Sequence, residues 1–238
     1  MHIIAHRGFN GRYPEMSPLA YEKALELPIH GVECDIRLTG DGVVVCTHDR
    51  TMERVAGEKL VVAAEGVDKL RSCNIGEEDA PQSLLTLDEL LDMVFAHDDK
   101  HIYIEPKHPT RSGRMLEEQL VMRLRYHGLQ ASERVHVISF SHASMRRIAQ
   151  LAPELQTFYL RREWEERVNP KDLFLSRPRG SGMSIERAKK DPWLIGRRGL
   201  PTYLYTVNEP EDVAYARDHG VDVIATDFPD LALDVLGG

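Results

Sequence analysis

Apolar residues along the chain gather into short runs, and polar stretches with helical spacing separate those runs. Runs at Ile3–His6, Gly31–Ile36, Val43–His48, His101–Glu105, Val135–Ser139, Thr157–Leu160, Gly182–Ile185, Thr202–Val207 and Val221–Thr226 have the length and composition of strands. Leu87, Leu90, Leu91, Val94 and Phe95 follow the i, i+3, i+4, i+7, i+8 stripe of an amphipathic helix. Thr86 ahead of that stripe, with Glu89 three residues on, predicts a capping box. Ser17 and Pro18 predict the N-cap and first position of a helix through Leu27. Asn208, followed by Pro210 and Glu211, predicts a helix that stops at Gly220.

Strands that are apolar on both faces and alternate with helices predict an α/β fold with a parallel sheet covered by helices. A doubly wound sheet is the rival, but no Gly-x-Gly-x-x-Gly turn follows the first strand. The reading is a (β/α)8 TIM barrel, one domain over residues 1–238. Residues 50–82, with Gly57, Gly66 and Gly76 among charges, break the alternation and read as an insertion after the second strand region. The arginine- and proline-rich stretch 161–180 yields no clear element.

Composition narrows the function. The formal charge of -8 argues against a nucleic-acid partner, which needs a basic face, but leaves room for a small phosphorylated molecule. Cys34, Cys46 and Cys73 are scattered and lack metal-ligand spacing, so they read as reduced thiols. The chain runs from Met1 straight into an apolar strand with no leader pattern, and no apolar run reaches the roughly 18–20 residues of a membrane span. The expectation is a cytoplasmic protein without stable membrane association. Its oligomeric state is open.

The chemistry lies at predicted strand ends. Glu33 and Asp35 sit at i and i+2, so both carboxylates face one side and Cys34 the other. Adjacent like charges repel unless a cation lies between them, and oxygen ligands suit a hard ion, Mg²⁺ or Ca²⁺. Glu105 and Lys107 repeat the spacing, offering a third carboxylate and a cation for a phosphate oxygen. His6 and Arg7 close the first strand, and His48 with Asp49 closes the Val43–His48 run. Each motif alone is weak, because acidic strand ends are often only solvated and histidines are often structural. Their shared placement at the ends of the first strands is what carries weight. Glu15 in the first loop is a candidate for orienting a neighbour or the substrate. Tyr205 is a candidate pocket wall, and Asp227 reads equally well as a cap for the helix behind Pro229.

Taken in order, His6-Arg7-Gly8, Pro14-Glu15, Glu33-x-Asp35, His48-Asp49, Glu105-x-Lys107, Thr206-Val207-Asn208 and Thr226-Asp227-x-Pro229 resemble the signature series of glycerophosphodiester phosphodiesterases. The match runs from residue 3 to about residue 230. The resemblance implies a β/α barrel with a small insertion after the second histidine. It implies one divalent cation on Glu33, Asp35 and Glu105, with His6 and His48 as the acid/base pair. Arg7 and Lys107 would grip the phosphate, with Glu15 and Tyr205 near the substrate. The implied reaction converts a glycerophosphodiester to glycerol 3-phosphate and an alcohol through a cyclic phosphate. Two places depart from the pattern, at three residues: Met16-Ser17 stand where the family has Asn and Thr, and Tyr205 where it has Trp. A lysophospholipase D-type lipid phosphodiesterase, a sugar isomerase or amidohydrolase barrel, and a non-catalytic phosphodiester-binding barrel are the alternatives.

Overall fold

Alternation along the strands sorts the apolar side chains into two cores. In the first strand Ile3 and Ala5 face the outer core under the helices, while Ile4 faces the barrel interior. In the fourth, Ile102 and Ile104 face outward and Tyr103 inward. A computed structural model of the chain describes residues 1–166 and 169–237. Its order begins β1 (His2–Ala5), α1 (Pro18–Leu25), β2 (Gly31–Leu38), β3 (Val44–Cys46), α2 (Glu53–Ala56), α3 (Val67–Arg71) and α4 (Leu87–Phe95). It continues with β4 (His101–Pro106), α5 (Met115–Tyr126), β5 (Val135–Ser139), α6 (His142–Leu151), β6 (Gln156–Leu160) and α7 (Pro170–Ser176). β7 (Gly180–Ser184), α8 (Ile185–Lys190), β8 (Thr202–Tyr205), α9 (Pro210–Asp218), β9 (Val223–Thr226) and α10 (Pro229–Leu236) complete it.

Parallel pairing runs β1-β9-β8-β7-β6-β5-β4-β2, and the β1–β2 pair closes the ring into an eight-stranded barrel. The interior is filled by Ile4, Tyr103, Ile138, Phe158, Leu160, Tyr203, Val223 and Ala225. β7 accommodates the bulk of β6 with glycines. A Cβ on Gly180 would stand 2.3 Å from the Phe158 ring, and one on Gly182 would stand 2.4 Å from Leu160 Cδ2.

β3 departs from the parallel reading. It is a ninth strand outside the ring, antiparallel to the upper end of β2, with Ile36 opposite Cys46. β2 overshoots the barrel and turns at Thr39–Val43, and β3 descends back toward the rim. Val44 and Cys46 face the main core, and Val45 faces a separate small core with Met52, Val62, Leu70, Ile75 and Leu84. The irregular segment at 50–82 therefore builds its own packed unit on the back of β3.

Local signals set several helix ends. Ser17 accepts from the Ala20 amide at the start of α1, and Thr86 and Glu89 form the reciprocal capping box of α4. At α9 the outcome differs, since the helix begins at Pro210 with Glu209 at the cap. Asn208 does not cap it because its amide group is committed to Asp227. Its Nδ2 donates to Asp227 Oδ2 at 2.7 Å, and its Oδ1 accepts from the Asp227 amide at 2.9 Å. The stretch 161–180 supplies α7 and the start of β7. Cys34, Cys46 and Cys73 are free thiols. Among the described residues no helix is long and apolar enough to cross a membrane.

Candidate active site

Parallel strands deliver their C-terminal ends to one rim, and the chemically active side chains converge there. β2 contributes Glu33 and Asp35 and β4 contributes Glu105, all three buried, with one carboxylate oxygen from each lying within 4.8 Å of the others. Register explains the meeting, because Asp35 pairs directly with Glu105 across β2 and β4. Lys107, just beyond β4, places Nζ 3.1 Å from Asp35 and 3.0 Å from Glu105. Arg7 Nε stands 3.1 Å from Asp35 Oδ2.

Crowding three carboxylates out of water polarises their proton affinities. Burial, then Asp35, pushes Glu33 well above the usual carboxylate range. The same two causes push Glu105 up to about 7. Burial also acts upward on Asp35, but Lys107 and Arg7 outweigh it and hold this group below its ordinary value. Asp35 Oδ2 is buried and, although close to Arg7 Nε, has no aligned hydrogen-bond donor. A buried carboxylate oxygen without a donor, beside two more carboxylates and no soft ligand, fits a hard divalent cation.

Two imidazoles flank this cluster, each tethered through Nδ1 to a carboxylate. His6 Nδ1 lies 2.7 Å from Asp227 Oδ1, and its Nε2 is 4.0 Å from Glu33. His48 Nδ1 lies 2.8 Å from Asp49 Oδ1. A carboxylate on Nδ1 holds the proton there and leaves the Nε2 lone pair for chemistry. Burial lowers the His48 pKa, against the upward pull of Asp35. The descending β3 brings His48 to the rim; it follows a strand end as the sequence implied, but that strand lies outside the barrel.

Asp227 is the residue whose role the sequence left divided. It does not cap α10, whose N-cap is Phe228 with no side-chain bond. Its Oδ1 receives Asn10 Nδ2 at 2.7 Å besides facing His6, and its Oδ2 receives Asn208. The pull of His6, Asn208 and Arg7 outweighs burial and holds its carboxyl below the ordinary range.

Arg54 of α2 was not anticipated. Its two terminal nitrogens grip both Glu15 oxygens at 2.7 and 2.8 Å, and its Nε reaches Asp49 at 2.6 Å. Glu15 also sits 3.4 Å from Arg7 Nη1, so it orients Arg7 and Arg54. Nothing in sequence spacing marks a half-exposed arginine in an insertion as part of this network. Arg7 itself has a left-handed backbone (φ 57°), with Gly8 next (φ 76°), and this turn aims the Arg7 amide at Glu33 Oε2, 3.1 Å away. Tyr205 packs at the upper end of the barrel interior and its hydroxyl donates to the Arg161 carbonyl at 2.7 Å.

A protein of Mycobacterium tuberculosis named "Probable glycerophosphodiester phosphodiesterase 1" is 34% identical over 95% of this chain and 89% of its own length. A glycerophosphodiester phosphodiesterase of Bacillus altitudinis is 28% identical over 98% of this chain and 97% of its own. The crystal structure of an Oleispira antarctica phosphodiesterase in complex with its product sn-glycerol-3-phosphate shares the fold, with a TM-score of 0.85 and 20% identity over 100% of this chain and 97% of that one. A glycerophosphodiester phosphodiesterase structure from Parabacteroides distasonis superposes with a TM-score of 0.83 and 24% identity over 99% and 96% of the two chains. Residues 6–231 match the glycerophosphoryl diester phosphodiesterase family, and the chain belongs to that family.

Proposed function

We propose that this phosphodiesterase hydrolyses glycerophosphodiesters to glycerol 3-phosphate and an alcohol in one catalytic barrel domain, using His6 and His48 beside a divalent cation, Mg²⁺ or Ca²⁺. The observation that carries this reading is the meeting of Glu33, Asp35 and Glu105 within 4.8 Å, between two histidines each held by a carboxylate. Those three carboxylates would hold the cation, which supplies positive charge to the phosphate oxygens.

The chain's own residues account for the rest. Arg7 and Lys107 offset charge on the equatorial oxygens as it grows toward the transition state. The glycerol hydroxyl next to the phosphate ester attacks phosphorus, and one histidine takes its proton at Nε2. The other histidine, protonated, donates to the departing alcohol oxygen as the P–O bond breaks, leaving a cyclic glycerol phosphate. The two imidazoles then exchange roles: the newly protonated one donates to the ring oxygen that leaves, while the other deprotonates the attacking water. Internal attack gains from high effective molarity, and each acid/base group contributes on the order of 10²–10⁴-fold. Asp227 and Asp49 orient the two rings, and Tyr205 walls the substrate side.

An enzyme-linked assay for glycerol 3-phosphate tests this on glycerophosphoethanolamine. Product forms with Mg²⁺ or Ca²⁺, disappears with EDTA and returns when the ion is restored. Release that is indifferent to EDTA would remove the cation from the reading, and no release from any glycerophosphodiester would favour a binding barrel.

A further inference from the structure

At the opposite end of the barrel from the acidic cluster, four histidines stack beneath the interior aromatic layer. His2 opens β1, His30 precedes β2, His101 opens β4 and His136 lies near the start of β5. Ring centroids lie 3.8 Å apart for His2–His30 and for His30–His101, and 5.3 Å apart for His101–His136. Tyr103 caps the column, 4.1 Å from His136.

We propose that His30, His101 and His136 form a second metal site, an all-nitrogen one at the barrel floor, for a borderline transition-metal cation such as Zn²⁺. One nitrogen from each ring lies within 4.8 Å of the others, and His101 Nδ1 is 3.0 Å from His136 Nε2. Ligands at tetrahedral Zn²⁺, with Zn–N of about 2.0–2.1 Å, stand roughly 3.3 Å apart. The pair, joined here by a hydrogen bond, is close to that spacing, and partly buried His30, stacked on His101 at 3.8 Å, would turn its ring out of the stack to join it. His136 is buried; its Nε2 meets His101, and its other nitrogen, Nδ1, has no hydrogen-bond partner among the described residues.

Donor chemistry separates this site from the acidic one. Three imidazoles with no carboxylate favour Zn²⁺, Ni²⁺ or Cu²⁺ over Mg²⁺ and Ca²⁺. Burial keeps the rings neutral, the form that ligates, helped by the neighbouring rings at His30 and His136 and by Arg134 at His101, with His30 and His136 lowered to about 3 and His101 to about 4. The nearest cations are engaged elsewhere. Lys100 Nζ donates to the Leu27 and Ile29 carbonyls at 2.9 Å, and Arg134 donates to the His97 carbonyl at 2.6 Å. Asp99 and Asp222 add negative charge close by. Four residue steps along β4 separate His101 from Glu105, about 13 Å at strand rise. The two ends of the barrel would thus hold ions of opposite preference.

The test is a Zn²⁺ titration of the full chain in excess Mg²⁺, followed by ¹⁵N NMR of the imidazole rings. Zn²⁺ should shift the ring nitrogens of His30, His101 and His136, and leave those of His6 and His48 in place. His30→Gln and His101→Gln should each weaken Zn²⁺ binding by roughly tenfold or more, with phosphodiesterase turnover unchanged in Mg²⁺. Unmoved floor resonances in the unaltered chain would overturn the proposal and leave a neutral ring stack, whatever the variants do. Equal Zn²⁺ affinity in folded His101→Gln would overturn it as well.

Discussion

At the rim His6 and His48, the proposed acid/base pair, each have their own carboxylate, so the consequences of losing a ring and of losing its tether differ. His6→Asn and His48→Asn should each lower kcat by roughly 10²–10⁴-fold, while the affinity for Mg²⁺ measured by calorimetry stays near wild type. Asp227→Asn leaves the ring in place but removes the charge on His6 Nδ1, and should cost roughly 10–100-fold in kcat. In the proposed cation site Glu105 would make binding sensitive to pH. Its carboxyl is pushed up to about 7, so below that value a proton occupies a ligand the cation needs. Affinity for Mg²⁺ should therefore weaken as pH falls from 8 to 6, and Glu105→Gln should flatten that dependence. Most of these residues were legible in the sequence. Glu33-x-Asp35 and Glu105-x-Lys107 state their shared face through the two-residue repeat of a strand, and the parallel register does the rest. Asp227 was visible but divided between two roles. A motif records that an acid follows Thr226, whereas the hydrogen bond to His6 depends on closure of β9 against β1. Arg54 was illegible because its partners, Glu15 and Asp49, are brought to it only by tertiary packing.

Helices and strands were read well where a local cause fixes them. The capping box at Thr86 is contained in four residues, and of the α4 stripe Leu87, Leu90, Leu91 and Val94 are fully buried while Phe95 at its end is partly buried. Thr86→Ala should cost about 1 kcal/mol, lowering Tm by roughly 2–4 °C for a domain of this size. Differential scanning calorimetry measures it directly. Leu90→Ala, which leaves a cavity in the outer core, should cost about 2–5 kcal/mol in the same measurement. What eluded the pattern was direction. Val43–His48 has strand composition, but composition carries no polarity. β3 turns antiparallel because only Thr39–Val43 separates it from β2, too short for the crossover a parallel neighbour requires. Asn208 failed as a cap for a related reason, since an Asn before Pro210 satisfies the local rule while a distant carboxylate claims the side chain first.

For the molecule as a whole, the floor histidines contribute to the response to acid. In the folded chain His30 and His136 titrate at about 3 and His101 at about 4, against about 6.5 when unfolded. Between those values the unfolded chain binds more protons, so this contribution to stability is complete above about pH 6.5 and is lost progressively as pH falls toward 4 for His101 and toward 3 for His30 and His136. Urea midpoints at pH 7 and pH 5 should differ in that direction, and less so in His101→Gln. The rim has its own vulnerability, which follows from β3. Of the two proposed acid/base imidazoles, His6 hangs from the barrel wall and His48 from a hairpin backed by the satellite nucleus of Val45, Met52, Val62, Leu70, Ile75 and Leu84. Arg54 is the clasp that fastens this flap to the barrel's first loop. Undoing the flap alone would silence turnover while the acidic triad stays assembled, so warming should extinguish hydrolysis before the barrel melts, and the enzyme's working ceiling is set by its smallest nucleus.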